Sequence, residues 1–261
     1  MHKTLEGDLP KKPMRQSFNN PLAGIPRTER SPEVSVNQWV YYTLRQALLS
    51  GHIRPGFALT ICGLADVLGV SSMPIREALQ RLSCAGAIEV KDNRRVIVPQ
   101  MTPAKLNELF NLRIVLETHA AEGALAYIRD EHFRELERLD NEIDRAYQQG
   151  NMELGAVANQ AFHRYLYQCH PFQVSVPLIE RVWLQLAPFV RIAMEKLHRN
   201  YRIDRHQEAL KAIRHCNAYA LRRAIESDIR DGMASIQAVD GLDEHFSDTV
   251  QTLVKPRLVR G

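Results

Sequence analysis

The sequence predicts a mostly α-helical protein in two parts: a small helical module closed by a β-hairpin, then an all-α antiparallel helical bundle. Three observations predict it. Residues 64–98, LADVLGVSSMPIREALQRLSCAGAIEVKDNRRVIV, read as a helix, a tight turn, a second helix and a short basic hairpin. From residue 103 to 236 the chain is almost continuously amphipathic helix with short breaks. The length, 261 residues, is enough for two domains with their own cores.

Residues 1–34 are rich in Pro, Ser, Asn and charge, with little apolar periodicity, and read as a disordered arm. A helix over 35–50 ends at Gly51, and the turn RPG at 54–56 leads to the helix pair. Leu64, Val67 and Leu68 give the first helix of that pair one apolar stripe. Gly69 ends it, because glycine tolerates the left-handed backbone of a sharp stop. Ser71 or Ser72 can cap the next helix, and Pro74 fits its first turn. Ile75, Ala78, Leu79 and Leu82 form the inner face. Ser71, Ser72, Met73, Arg76, Gln80 and Arg81 are left outside. Strands at 87–90 and 96–98 flank a tip carrying Lys91, Arg94 and Arg95.

Helix, turn, helix and basic wing in that order make a winged helix-turn-helix, a module that reads DNA. Arginine near the start of the second helix can meet guanine edges or phosphates in the major groove. Charge runs the same way. Residues 1–100 hold 13 Lys and Arg against 8 Asp and Glu, a net +5, and the remainder holds 21 against 22, a net −1. Cys62, Cys84, Cys169 and Cys216 are scattered with no C-x-x-C pair, which argues against a zinc ribbon and suits reduced thiols in a cytoplasmic protein. Neither a secretory signal nor a run of about 18 apolar residues is present, so no membrane span is expected.

In the second part, Thr102 and Pro103 open the first bundle helix as N-cap and first-turn proline. The helical spans are 103–127, 130–149, 151–169, 174–197, 201–216 and 218–236, with Pro188 expected to kink the fourth. Short connections favour antiparallel neighbours. Residues 238–261 lose periodicity and read as a tail. The domain reading is therefore arm 1–34, winged helix 35–100, helical domain 101–237 and tail 238–261.

Residues 39–98 resemble the DNA-binding domain of the GntR family of bacterial transcription regulators. The matching pieces are the opening helix from Tyr41 to Leu48, GHIRPGFAL from Gly51 to Leu59, and LADVLGVSSMPIREALQRL. The helical part beyond the wing resembles the FadR subfamily, whose C-terminal domain (FCD) is all helical and binds a ligand. The resemblance covers about 36–237 and implies a homodimer on a palindromic double-stranded operator, controlled by a small effector. Two positions depart from the family pattern. Ser72 stands where the family usually has Arg, and Arg94-Arg95 stands where the wing usually has Gly.

Asn159 and His163, four apart in NQAFHRYL, share one helix face and can reach one ion. FCD domains typically bind a metal through an Asp and a His four apart, a later His and a final His. Matched residue by residue, Asn159 falls on the Asp, His163 and His206 on the first two histidines, and Asp228 on the last. Imidazole with oxygen ligands suits zinc, nickel, manganese or iron with an open position for an effector carboxylate. The competing reading has His163 and His206 as core histidines satisfied by hydrogen bonds. The family often has an Arg facing the cavity at the place of Arg113, and a guanidinium there can hold a carboxylate. Arg113 and Glu117 are equally spaced for an intrahelical ion pair. Tyr165, Trp183 and Arg191 are further candidates for the cavity wall.

The function expected is a DNA-binding regulator, not an enzyme, with a carboxylate effector and a divalent metal in the bundle. Rival readings are a sensor of the metal ion itself, a metal-free pocket for an acyl chain, and a metal-dependent enzyme. The last lacks a general base or nucleophile near the histidines and leaves the DNA module unexplained.

Overall fold

A computed structural model describes residues 25, 29–53, 55, 56, 58–91, 95–196 and 205–237, with the side chains of 153 and 191–196 excepted. Most of the expected arm, and the whole expected tail at 238–261, lie outside the described residues.

The first domain is built from α1 (Val36–Leu49), β1 (Ala58–Leu59), α2 (Ile61–Leu68), α3 (Ser72–Cys84), β2 (Glu89–Val90) and β3 (Val96–Ile97). Ser35 caps α1 by accepting from the Gln38 amide, and Thr60 caps α2 by accepting from Gly63 at 3.1 Å. Gly69 closes α2 at φ 66°, in the left-handed region expected of it. The cap of α3 differs from expectation. Ser71 holds the N-cap position, but its side chain makes no capping hydrogen bond. The sheet is antiparallel in the order β1-β3-β2, pairing Leu59 with Val96 and Val90 with Val96. β1 has no counterpart in the sequence pattern, since two residues carry no period to read. Val40, Leu44, Leu48, Leu64, Ile75 and Leu82 form the core, and Ile25 from the expected arm is buried in it.

The second domain comprises α4 (Pro103–Leu125), α5 (Asp130–Gln148), α6 (Met152–Gln168), α7 (Val176–Lys196), α8 (Arg205–Arg214) and α9 (Ala218–Gln237). Where described, these helices end within two residues of the expected spans, and Pro188 lies inside a continuous α7. Thr102 accepts from Lys105 at 3.1 Å, the N-cap expected beside Pro103. α5 packs on α6, α9 on both α4 and α8, and α7 on α4. Phe110, Phe162, Leu166, Tyr167 and Phe189 fill the centre. Among the described residues no helix is long and apolar enough to cross a membrane.

α7 joins the domains. Leu184, 2 % exposed, belongs to the core of the first domain although α7 belongs to the second. Gln185 donates from Nε2 to the carbonyl of Ala85 at 3.2 Å. A β-carbon on Gly86 (φ 73°) would stand 3.1 Å from the Gln185 side chain, so glycine permits this close approach. Glu180 of α7 faces Arg45 of α1 at 3.2 Å and Arg164 of α6 at 3.0 Å.

Candidate metal centre and nucleic-acid interface

Three helices bring the bundle's polar residues together. His163 on α6 is 1 % exposed, His206 on α8 is 7 % exposed, and Asp228 comes from α9. His163 Nε2 lies 3.1 Å from Asp228 Oδ2 and 3.4 Å from His206 Nε2. His206 Nε2 stands 3.9 Å from Asp228 Oδ1. One ligand atom from each residue fits within 4.8 Å of the others. Ligands about 2.0–2.2 Å from a tetrahedral ion stand about 3.3–3.6 Å apart, so the His163 separations are close to coordination size and the His206–Asp228 one is longer.

The outer faces of both imidazoles are committed. Tyr167 donates its hydroxyl proton to Glu117 Oε2 at 2.9 Å, so its oxygen is left to accept from His163 Nδ1 at 3.1 Å. His206 Nδ1 faces Asp140 Oδ1 at 3.3 Å, and Gln207 donates to the other oxygen of that carboxylate. Both pairings favour protonation at Nδ1 and turn Nε2 toward the cluster centre. Two ring nitrogens and a carboxylate that converge in this way need a cation between them, whether proton or metal. Burial pushes the Asp228 carboxyl up. The hydrogen bond and electrostatic attraction of His163, then the attraction of His206 and Arg113, outweigh burial and hold it at about 2. Asp228 is therefore a carboxylate at neutral pH, ready to serve as a ligand.

Asn159, half-buried one turn before His163, lines a cavity of about 450 Å³ together with Arg113, His163, Tyr165 and Trp183. The expected i,i+4 ion pair also forms: Arg113 Nε donates to Glu117 Oε1 at 2.6 Å. Both readings of Arg113 thus coexist, as ion pair and as cavity wall. Burial works against the Arg113 cation and Glu117 more than restores it. Glu117 is fully buried and also accepts from Trp183 Nε1 at 2.9 Å. The side chain of Arg191 lies outside the described residues. Sequence reasoning missed Asp140 and Tyr167 as supports of the site, and it named Glu117 only as the ion-pair partner of Arg113. Signals existed. Asp140 replaces an apolar residue on the Leu136–Ile143 face of α5, and Tyr167 continues the Asn159 and His163 stripe by one more turn.

On the first domain, Ser71, Ser72, Met73, Arg76 and Gln80 are all exposed along the outer face of α3. Arg81 is exposed too, but it leaves that stripe: its guanidinium sits 3.6 Å from the centre of the Tyr41 ring. It lines a groove between the domains with Arg181 and Leu184. At the wing, Lys91 pairs with Glu89 at 2.7 Å and Arg95 is exposed. Arg94 lies outside the described residues.

Residues 37–98 match the family described as bacterial regulatory proteins, gntR family, and residues 108–231 match the FCD domain. The HTH-type transcriptional regulator McbR of Escherichia coli K12 is 28% identical over 174 residues, spanning 67% of this chain and 79% of that protein. The HTH-type transcriptional repressor RspR of the same organism is 25% identical over 155 residues, 59% of this chain and 68% of its own. The solved structure of E. coli McbR/YncC superposes with a TM-score of 0.74 at 25% identity, covering 78% of this chain and 98% of that one. A putative GntR regulator from Rhodococcus sp. RHA1 shares the fold, with a TM-score of 0.66 at 24% identity, 78% of this chain and 98% of that one.

Proposed function

This chain belongs to the GntR family of transcriptional regulators and carries an FCD effector-binding domain, and we propose that a small organic acid in the bundle cavity controls its affinity for an operator. We place it in the FadR subfamily and read it as a homodimer on a palindromic site. The carrying observation is one cavity lined by Arg113, by α1 of the DNA-binding domain and by His163, which is also a member of the His163, His206 and Asp228 cluster.

His163, His206 and Asp228, with Asn159 on the adjoining wall, would hold a divalent ion. The donor set fits zinc, nickel, manganese or iron. Such an ion supplies an open coordination position to an effector carboxylate. The chain's own part is orientation: Asp140 and Tyr167 aim the imidazoles, and Glu117 holds Arg113 against the cavity. On the DNA side, Arg76 is the central base contact, with Ser71, Ser72, Met73 and Gln80 beside it on α3. Lys91 and Arg95 reach phosphates from the wing. Arg81 serves from the flank, where it braces α3 on Tyr41.

Control is then a population shift between two placements of the reading heads. An effector that binds one placement about a hundredfold better moves the balance by about 2.7 kcal/mol. The test is elemental analysis of the purified protein, paired with operator binding by the wild type and His163→Ala/His206→Ala. The expected result is stoichiometric metal and acid-responsive binding in the wild type, with both lost in the double variant. Full metal occupancy in the variant removes the site.

A further inference from the structure

The polar wall of α6 is double. Asn159 and His163 form one stripe, and Gln160 and Arg164 form a second, about 100° round the helix. His163 of the first stripe belongs to the His–Asp cluster. The second lines the same cavity as Gln46 and Leu49 of α1, so it looks toward the DNA-binding domain. Arg164 and Arg45 share a single carboxylate, Glu180, at 3.0 and 3.2 Å. Two cations against one anion leave the domain junction one positive charge in excess. Arg164 Nε is moreover buried with no hydrogen-bond partner among the described residues, since its ion pair with Glu180 is made through Nη2. A buried donor without an acceptor is costly, and the excess charge sets the sign of what relieves it. A guanidinium offers Nε and one Nη as a fork that takes a carboxylate through two bonds.

We propose that Arg164 is an anion-binding subsite at the domain-junction end of the cavity, and that the ligand is therefore an acid with two anionic groups. One group occupies the Arg113 and His163 end, and the other occupies Arg164. This rests on the acid-binding reading of the cavity given above. With an anion on Arg164, Glu180 is left to Arg45, and each guanidinium has a carboxylate of its own. α1 and α7 are then held by a complete ion pair, so the second charge of the ligand is felt directly by the DNA-binding domain.

Calorimetry on the full-length, zinc-loaded protein tests this with unbranched dicarboxylates from malonate to suberate against monocarboxylates of equal length, at constant ionic strength. At least one dicarboxylate should bind about tenfold or more tighter than its monocarboxylate, the scale of a charge-assisted pair. Arg164→Gln should abolish that margin while leaving monocarboxylate affinity within about twofold, since only the second charge loses its partner. Glu180→Gln, which removes the competitor for Arg164, should widen the margin. A folding defect cannot move the two variants in opposite directions. Equal binding of both acid classes by the wild type, or a margin that survives Arg164→Gln, overturns the subsite alone. Binding of neither class overturns the acid-binding reading and the subsite with it.

Discussion

α3 and α6 each carry polar residues at helical spacing, yet the first turns them to solvent and the second turns them inward. On α3, Arg76 and Gln80 are exposed and stand opposite an apolar face that packs without them. On α6, His163 is 1 % exposed, and its ring is tied through Tyr167 to Glu117 and through Asp228 to His206. Solvated side chains act independently, so a reading surface can change residue by residue without disturbing the fold. Desolvated ones must all be satisfied together, because a buried polar group left alone costs more than its partner contributed. The outer face of α3 can therefore be changed one residue at a time, whereas a change in the bundle cluster disturbs every partner of the altered group.

That contrast can be broken most forcefully at Glu117. Its replacement by Ala strands the Arg113 cation and two further donors in the core. A loss of about 3–5 kcal/mol is expected in urea denaturation. A loss under about 1 kcal/mol would show that the network is not coupled. Next comes the metal. Zinc at about one hundred times its dissociation constant should stabilise the wild type by about 2.7 kcal/mol in thermal or chemical unfolding. It should do nothing for His163→Ala/His206→Ala, and equal stabilisation of both would remove the centre.

Arg76→Ala should behave in the opposite manner. Operator binding at fixed salt should weaken by about 1–3 kcal/mol. Folding stability should stay within about 0.5 kcal/mol, as for an ordinary surface change. A stability loss matching that of Glu117→Ala would erase the distinction between the two helices. The smallest effect concerns the thiols. Burial pushes Cys169 up to about 11, while Cys62, Cys84 and Cys216 are exposed. At pH 8 only about one Cys169 in a thousand is thiolate. Ellman's reagent should therefore report three fast cysteines and one slow one, and four equal rates would contradict the partial burial of Cys169.

Much of this is legible in the chain because it is local. Capping by Thr102, the stop at Gly69 and the apolar period of α3 to α9 each depend on residues within one or two turns. The convergence of His163, His206 and Asp228 came from the family resemblance, because residues 43 apart in sequence share no local signal. The cap of α3 is not legible either. Ser71 and Ser72 can each accept the bond, yet Ser71 holds the position without a side-chain bond.

By itself, then, the sequence determined the order of elements, the outward polar face of α3 and the two-domain plan, since backbone hydrogen bonding and periodic burial are settled over a few residues. Tertiary structure alone decided that Leu184 completes the head's core, that Asp140 and Tyr167 orient the imidazoles, and that Arg45 and Arg164 share Glu180. Those are meetings between distant segments. They form only when apolar packing has brought the helices together and withdrawn the water that would otherwise satisfy each charge.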